Sequence, residues 1–151
     1  MTRVCLLGKR SSTIRAELLS YETARSALAP YELAEPFENT IAVDTISLGA
    51  AISLLNDLDW YLARVASGSL VQEPSISEEE WLSRDLAEAV RSGSIVPEET
   101  DRYLKVYGLE NGALVEPMFV TRRDEGIPEY DLREVEDTVV VRVTEDEFGG
   151  V

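Results

Sequence analysis

Ala51, Leu54, Leu55, Leu58, Tyr61, Leu62 and Val65 form an unbroken apolar stripe at helical spacing behind Ser47. No other feature constrains the fold as tightly, because residues three and four apart share one helix face, and an apolar face must be buried against another layer. Ser47 supplies the side-chain oxygen that satisfies exposed amides at a helix start. The spacing therefore predicts a long central helix over 47–66, ending near Ser67-Gly68.

The segments around that helix read as its sheet. Thr2 to Leu7 is a short β-rich apolar run stopped by Gly8, and 40–46 alternates as a second strand. Residues 11–29 fit either a helical face or a strand followed by a helix capped at Ser20, and Pro30 ends the segment in both cases. Tyr31 to Asn39 reads as a loop, and Leu70-Val71 as a brief extended piece. Ser77-Glu78-Glu79-Glu80 has the pattern of a capping box, which predicts a helix from there to Ser92 with Gly93 at its end. Pro97-Glu98-Glu99 predicts the start of another.

Asn111-Gly112 readily supplies the two positive φ angles of a tight hairpin turn between 107–109 and 113–115. Pro117 donates no ladder hydrogen bond, so its strand belongs at an edge or carries a bulge. The β-branched run 138–144 reads as a central strand. The expectation is one α+β domain over 1–144, with a mixed sheet of about four strands near 2–7, 40–46, 113–121 and 138–144. A two-helix insert from 77 to 106 and a frayed acidic tail at 145–151 complete it.

Charge speaks to setting. The chain holds 29 acidic and 14 basic residues in 151, a formal net charge of -15, and Lys9 and Lys105 are its two lysines. A compact fold bearing that charge calls for concentrated counterions to screen its self-repulsion. The 44% hydrophobic content argues against intrinsic disorder. No apolar run approaches the roughly 18 residues of a membrane span, and the start is too short for a signal-peptide core. The expected setting is a salt-adapted cytoplasm, with no membrane partner.

Histidine is absent. That removes the commonest general base, the usual zinc ligand and every Ser-His or Cys-His pair. The single cysteine, Cys5, excludes an internal disulfide and reads as a small buried hydrophobe or a reactive thiol. No phosphate loop, dinucleotide fingerprint or nucleophile elbow is present.

Ser47 to Leu62 as a block, with Glu80-Trp81-Leu82-Ser83-Arg84 and Ile127-Pro128-Glu129-Tyr130-Asp131-Leu132, resembles a small family of proteins of unknown function from halophilic archaea. The likeness extends over nearly the whole chain. It implies the salt-adapted cytoplasmic setting and carries no activity or catalytic residue with it.

Asn56, Asp57 and Asp59 are poor helix formers inside the predicted central helix. Asn56, Asp59 and Trp60 share a second helix face, which reads as a solvated side, a partner-docking patch or part of a Mg²⁺ site. The metal reading recruits Asp44 and Glu80. Trp60 and Trp81 are either core residues or interface anchors, and the edge near Pro117 is a further docking candidate. Arg122 and Arg123, followed by Arg133, form the one local basic patch, a candidate anion or RNA site opposed by the acidic field of the whole protein. The sequence thus points to a non-enzymatic interaction or regulatory protein that docks a protein partner or, as a homodimer, itself, and that needs no cofactor. Its alternatives are a Mg²⁺-dependent carboxylate enzyme and an RNA- or ribosome-associated protein, with nucleic acid disfavoured.

Overall fold

A computed structural model describes residues 1–122 and 137–149. In chain order the elements are β1 (Thr2–Gly8), α1 (Ile14–Leu19), α2 (Glu22–Leu28), β2 (Thr40–Thr45), α3 (Leu48–Val65), β3 (Ala66–Gln72) and β4 (Trp81–Ser83). There follow α4 (Arg84–Ser92), a 3₁₀ turn at Pro97–Glu99, β5 (Tyr103–Glu110), β6 (Ala113–Thr121), β7 (Asp137–Arg142) and α5 (Glu145–Gly149). The strands join in one mixed sheet of order β2-β1-β3-β4-β7-β5-β6, with the β4–β7 pair parallel and the others antiparallel. The α+β class is as expected, but the sheet has seven strands among the described residues, not four.

The central helix begins as its cap requires: the Ser47 hydroxyl accepts from Ala50 N at 3.1 Å. Ala51, Leu54, Leu55, Leu58, Leu62 and Val65 are buried from it, whereas Tyr61 is half-buried. They pack with Val4, Leu6, Ile41, Val43, Val71 and Leu82 from one face of the sheet. Helices α1 and α2 resolve the ambiguous 11–29 segment as two short helices that add Ile14, Leu18, Ala24 and Leu28 to the same core.

Alternation sends Cys5, Leu7, Ala42 and Leu70 to the opposite face, where they meet Trp81, Val139 and Val141 and the half-buried Tyr103, Tyr107 and Leu114. Among the described residues no long helix covers this face, where α5 contributes Phe148; the sheet closes over it by curling. A flat seven-stranded sheet would hold its outer strands about 29 Å apart at about 4.8 Å per step. Yet Glu38 N, two residues before β2, donates to Gly112 O in the β5–β6 turn at 2.8 Å.

Three expectations give way. The central helix ends at Val65, close to the expected Ser67-Gly68, but the brief extended piece expected at Leu70-Val71 is a full strand, β3, which follows α3 without a loop and lies between β1 and β4. The Ser77 hydroxyl accepts from Glu79 N and Glu80 N, as a cap would, but closes only a turn, and β4 follows. Helix α4 starts four residues later than Glu80, capped by Ser83 accepting from Leu86 N at 3.1 Å, and ends at Gly93 with φ 83°. No second helix fills the proposed 77–106 insert, since Pro97–Glu99 makes one 3₁₀ turn and β5 begins at Tyr103.

The hairpin turns at Asn111 and Gly112 with φ 51° and 81°. Its second arm is both at the edge and bulged, Gly108 facing Val115 and Tyr107 facing Pro117. The stretch expected to fray forms α5, whose Phe148 ring lies 5.2 Å from Tyr103 and 6.2 Å from Phe119. No helix among the described residues is long and apolar enough to cross a membrane.

Candidate functional site

Trp60 lies off the buried stripe of α3 and is 54% exposed. Tyr21, at the break between α1 and α2, meets its edge at 5.8 Å, and Tyr61 lies 5.1 Å away. The Arg64 guanidinium sits 3.4 Å over the indole centroid, one helical turn on, and donates to Trp60 O at 2.7 Å. The result is a cluster of three mutually inclined rings in which Trp60 is exposed, Tyr21 and Tyr61 are half-buried, and one cation is stacked on the indole. Trp81 behaves differently. At 6% exposure it packs with Phe37 in the second core, so it presents no surface to a partner.

The polar residues proposed beside Trp60 hold the protein itself together. Arg84, from the first turn of α4, donates to Asp59 Oδ1 at 2.8 Å, Asn56 Oδ1 at 3.1 Å and Glu88 Oε1 at 3.2 Å. One guanidinium thus clamps α3 to α4, which accounts for poor helix formers inside a strong helix. Asp44 pairs with Arg3 at 3.1 Å across the β1–β2 ladder. Glu80 accepts from Arg142 Nε at 2.7 Å and also from Arg122, while Arg142 donates to the buried Thr100 hydroxyl at 2.9 Å. Burial alone would raise Glu80, but hydrogen bonds and charge from the two arginines outweigh it and hold its carboxyl below the usual range.

Asp44, Asn56, Asp59 and Glu80 are therefore divided among three arginine sites, and only Asn56 and Asp59 come together. Among the described residues no group of three His, Cys, Asp or Glu side chains could hold a metal ion. Of the basic patch, Arg122 is engaged with Glu80, and Arg123 and Arg133 lie outside the described residues. Pro117 is exposed on edge strand β6. Cys5 is fully buried, and burial pushes its thiol up to about 12, so it is the inert hydrophobe and not the reactive thiol.

Sequence reasoning missed the concave side of the curled sheet. A cleft of ≈ 860 Å³ opens there between the Gly8–Thr13 loop and the β5–β6 hairpin, and a second of ≈ 330 Å³ lies beside β3 and β4. Ser67, Lys105 and Tyr107 line both. The Lys105 ammonium stands 5.2 Å from the Tyr107 ring and 5.8 Å from Phe119. Among the described residues it has no carboxylate within salt-bridge distance, as is also true of Arg10 on the facing loop, whereas Arg3, Arg84, Arg122 and Arg142 each have one. The available signal was the rarity of lysine, with Lys105 alternating in Tyr103-Leu104-Lys105-Val106-Tyr107 opposite to the buried Leu104 and Val106.

The loop wall of the cleft is rigidly made. Asn39 adopts φ 57°, a left-handed conformation that asparagine tolerates better than most side chains. Its Oδ1 accepts from Ile14 N at 2.9 Å, and its Nδ2 donates to Lys9 O at 3.0 Å and Ser12 O at 2.8 Å. Gly8 N donates to Asn39 O at 2.9 Å, and a Cβ on Gly8 would stand 2.5 Å from Asn39 Nδ2. Glycine is needed here for close approach.

Residues 2–109 match a protein family described as a family of unknown function, DUF5804, and the chain belongs to it. No curated protein and no solved structure matches the chain.

Proposed function

We propose that this chain, as a member of a family without an assigned activity, works through protein contact: its Trp60 face docks a protein partner, and a second copy of the chain is the simplest such partner. The observation that carries the reading is the exposed Trp60 indole, backed by the half-buried Tyr21 and Tyr61 and with Arg64 stacked on it. Tryptophan, tyrosine and arginine are the residues that dominate interface energetics. Covering the 54% of the indole now in solvent would contribute about 3 kcal/mol, at about 25 cal/mol per Å² for a side chain of about 250 Å².

Two acidic bodies meet only where salt screens them. The net charge of -15 therefore supports a salt-rich cytoplasmic setting of the kind halophilic archaea provide, in which the Debye length shrinks to about 3 Å at 1 M. The Mg²⁺-enzyme and RNA readings stand behind this one, because their described residues already hold partners within the chain.

Sedimentation in molar potassium chloride tests the proposal. A dimer is expected, with Trp60 shielded from iodide quenching in a Trp81→Phe background, and Trp60→Ala should return it to monomer. A monomer at every concentration, together with an empty pull-down from a lysate at native salt, would overturn it.

A further inference from the structure

We infer that the larger concave cleft binds a small amphipathic monoanion, whose charged head meets Lys105 and whose apolar body lies on Leu7, Leu114 and Pro117. This site is separate from the Trp60 face and stands or falls without it. Its volume of ≈ 860 Å³ lies within the roughly 300–1,000 Å³ of small-molecule sites, and its lining sets an apolar strip of Leu7, Tyr107, Leu114 and Pro117 among charged and hydroxyl side chains.

The charge pattern selects the ligand. Lys105 stands on the cleft wall among aromatic rings, and neither it nor Arg10 has a carboxylate within salt-bridge distance among the described residues. An ammonium in that position accepts an anionic head, with Arg10 on the opposite loop as a second cation. Glu35, Glu38 and Glu116 also line the cleft, so a polyanion is repelled while one negative charge at Lys105 is tolerated. Glu35 is drawn to its own loop, where it accepts from Asn39 N at 3.3 Å.

The walls are set before any ligand arrives. Asn39 locks the Gly8–Thr13 loop through three side-chain bonds, and the Glu38–Gly112 bond of 2.8 Å ties the hairpin to the opposite wall. Preorganisation of this sort lowers the ordering cost of binding. Backbone held in a sparsely populated region by several bonds is also a mark of sites that bind.

The probe is 1-anilinonaphthalene-8-sulfonate, an aromatic monoanion, titrated by fluorescence into the folded protein in molar salt. One saturable site is expected. Lys105→Gln should weaken it about tenfold, the loss of one charge-assisted contact, and Lys105→Arg should retain it. Arg91→Gln, which makes the same charge change on α4 away from both clefts, should leave it unaltered. Near-ultraviolet circular dichroism establishes that each variant is folded. N-phenyl-1-naphthylamine, the same ring body without the anion, should bind more weakly. Absence of saturable binding, equal loss in the two Gln variants, or equal affinity for the neutral ring would overturn the inference.

Discussion

Glu80 holds Arg142 of β7 and Arg122, the residue after β6, and its side chain is 18% exposed against 12% for Arg142. Replacing it by glutamine leaves both guanidinium groups without their counter-charge, which costs about 1–3 kcal/mol for a buried partner left unsatisfied. Chemical denaturation of Glu80→Gln should register that loss at neutral pH. The pH dependence has a definite sign. A carboxyl whose folded pKa lies below its ordinary 4.5 binds fewer protons in the folded state. Its stabilisation is present above that ordinary value and fades as pH falls through the lower, folded one. Wild type should therefore lose stability over that acid interval more steeply than Glu80→Gln, and parallel acid titrations would contradict the assignment. Little of this was legible beforehand: three consecutive glutamates after Ser77 look alike in sequence, and only Glu80 meets Arg142 and Arg122, from 62 and 42 residues away. Asn56 and Asp59 were conspicuous as poor helix formers, but their reason, Arg84, lies on another helix.

Elements with a strong internal signal read true. The stripe of α3, the alternation of β2 and the Asn111-Gly112 turn each carry their instructions locally. Strands β3 and β4 do not. Ala66–Gln72 opens with small residues of low strand propensity, and it is extended because β1 pairs along it and β4 joins at Leu70 and Val71; pairing overrides local preference. Trp81–Ser83 is three residues long and could not be told from the start of a helix by periodicity alone. Ser83 now serves both elements: it ends β4, caps α4 through Leu86 N, and donates to Glu147 Oε1 at 2.5 Å. Ser83→Ala should thus cost about 1–2 kcal/mol, at the upper end for a lost cap, while Ser47→Ala should cost about 1 kcal/mol. Thermal unfolding of the two variants side by side checks the order.

At the scale of the whole molecule the net charge of -15 and the curled sheet pull in opposite directions, since the first spreads the chain and the second closes it. Screening should decide between them. Raising potassium chloride from 0.1 M to 2 M should raise the melting temperature by at least about 5 °C, which calorimetry can read; an unchanged midpoint would mean that repulsion has little weight in this fold. Closure has one further result, because β7 alone joins β4 to β5, and its residues, Asp137–Arg142, come after all the others of the sheet. A nascent chain emerges amino end first. Until translation reaches that last strand, two half-sheets hang side by side with β4 open along one flank, a template for any stray strand in the crowd.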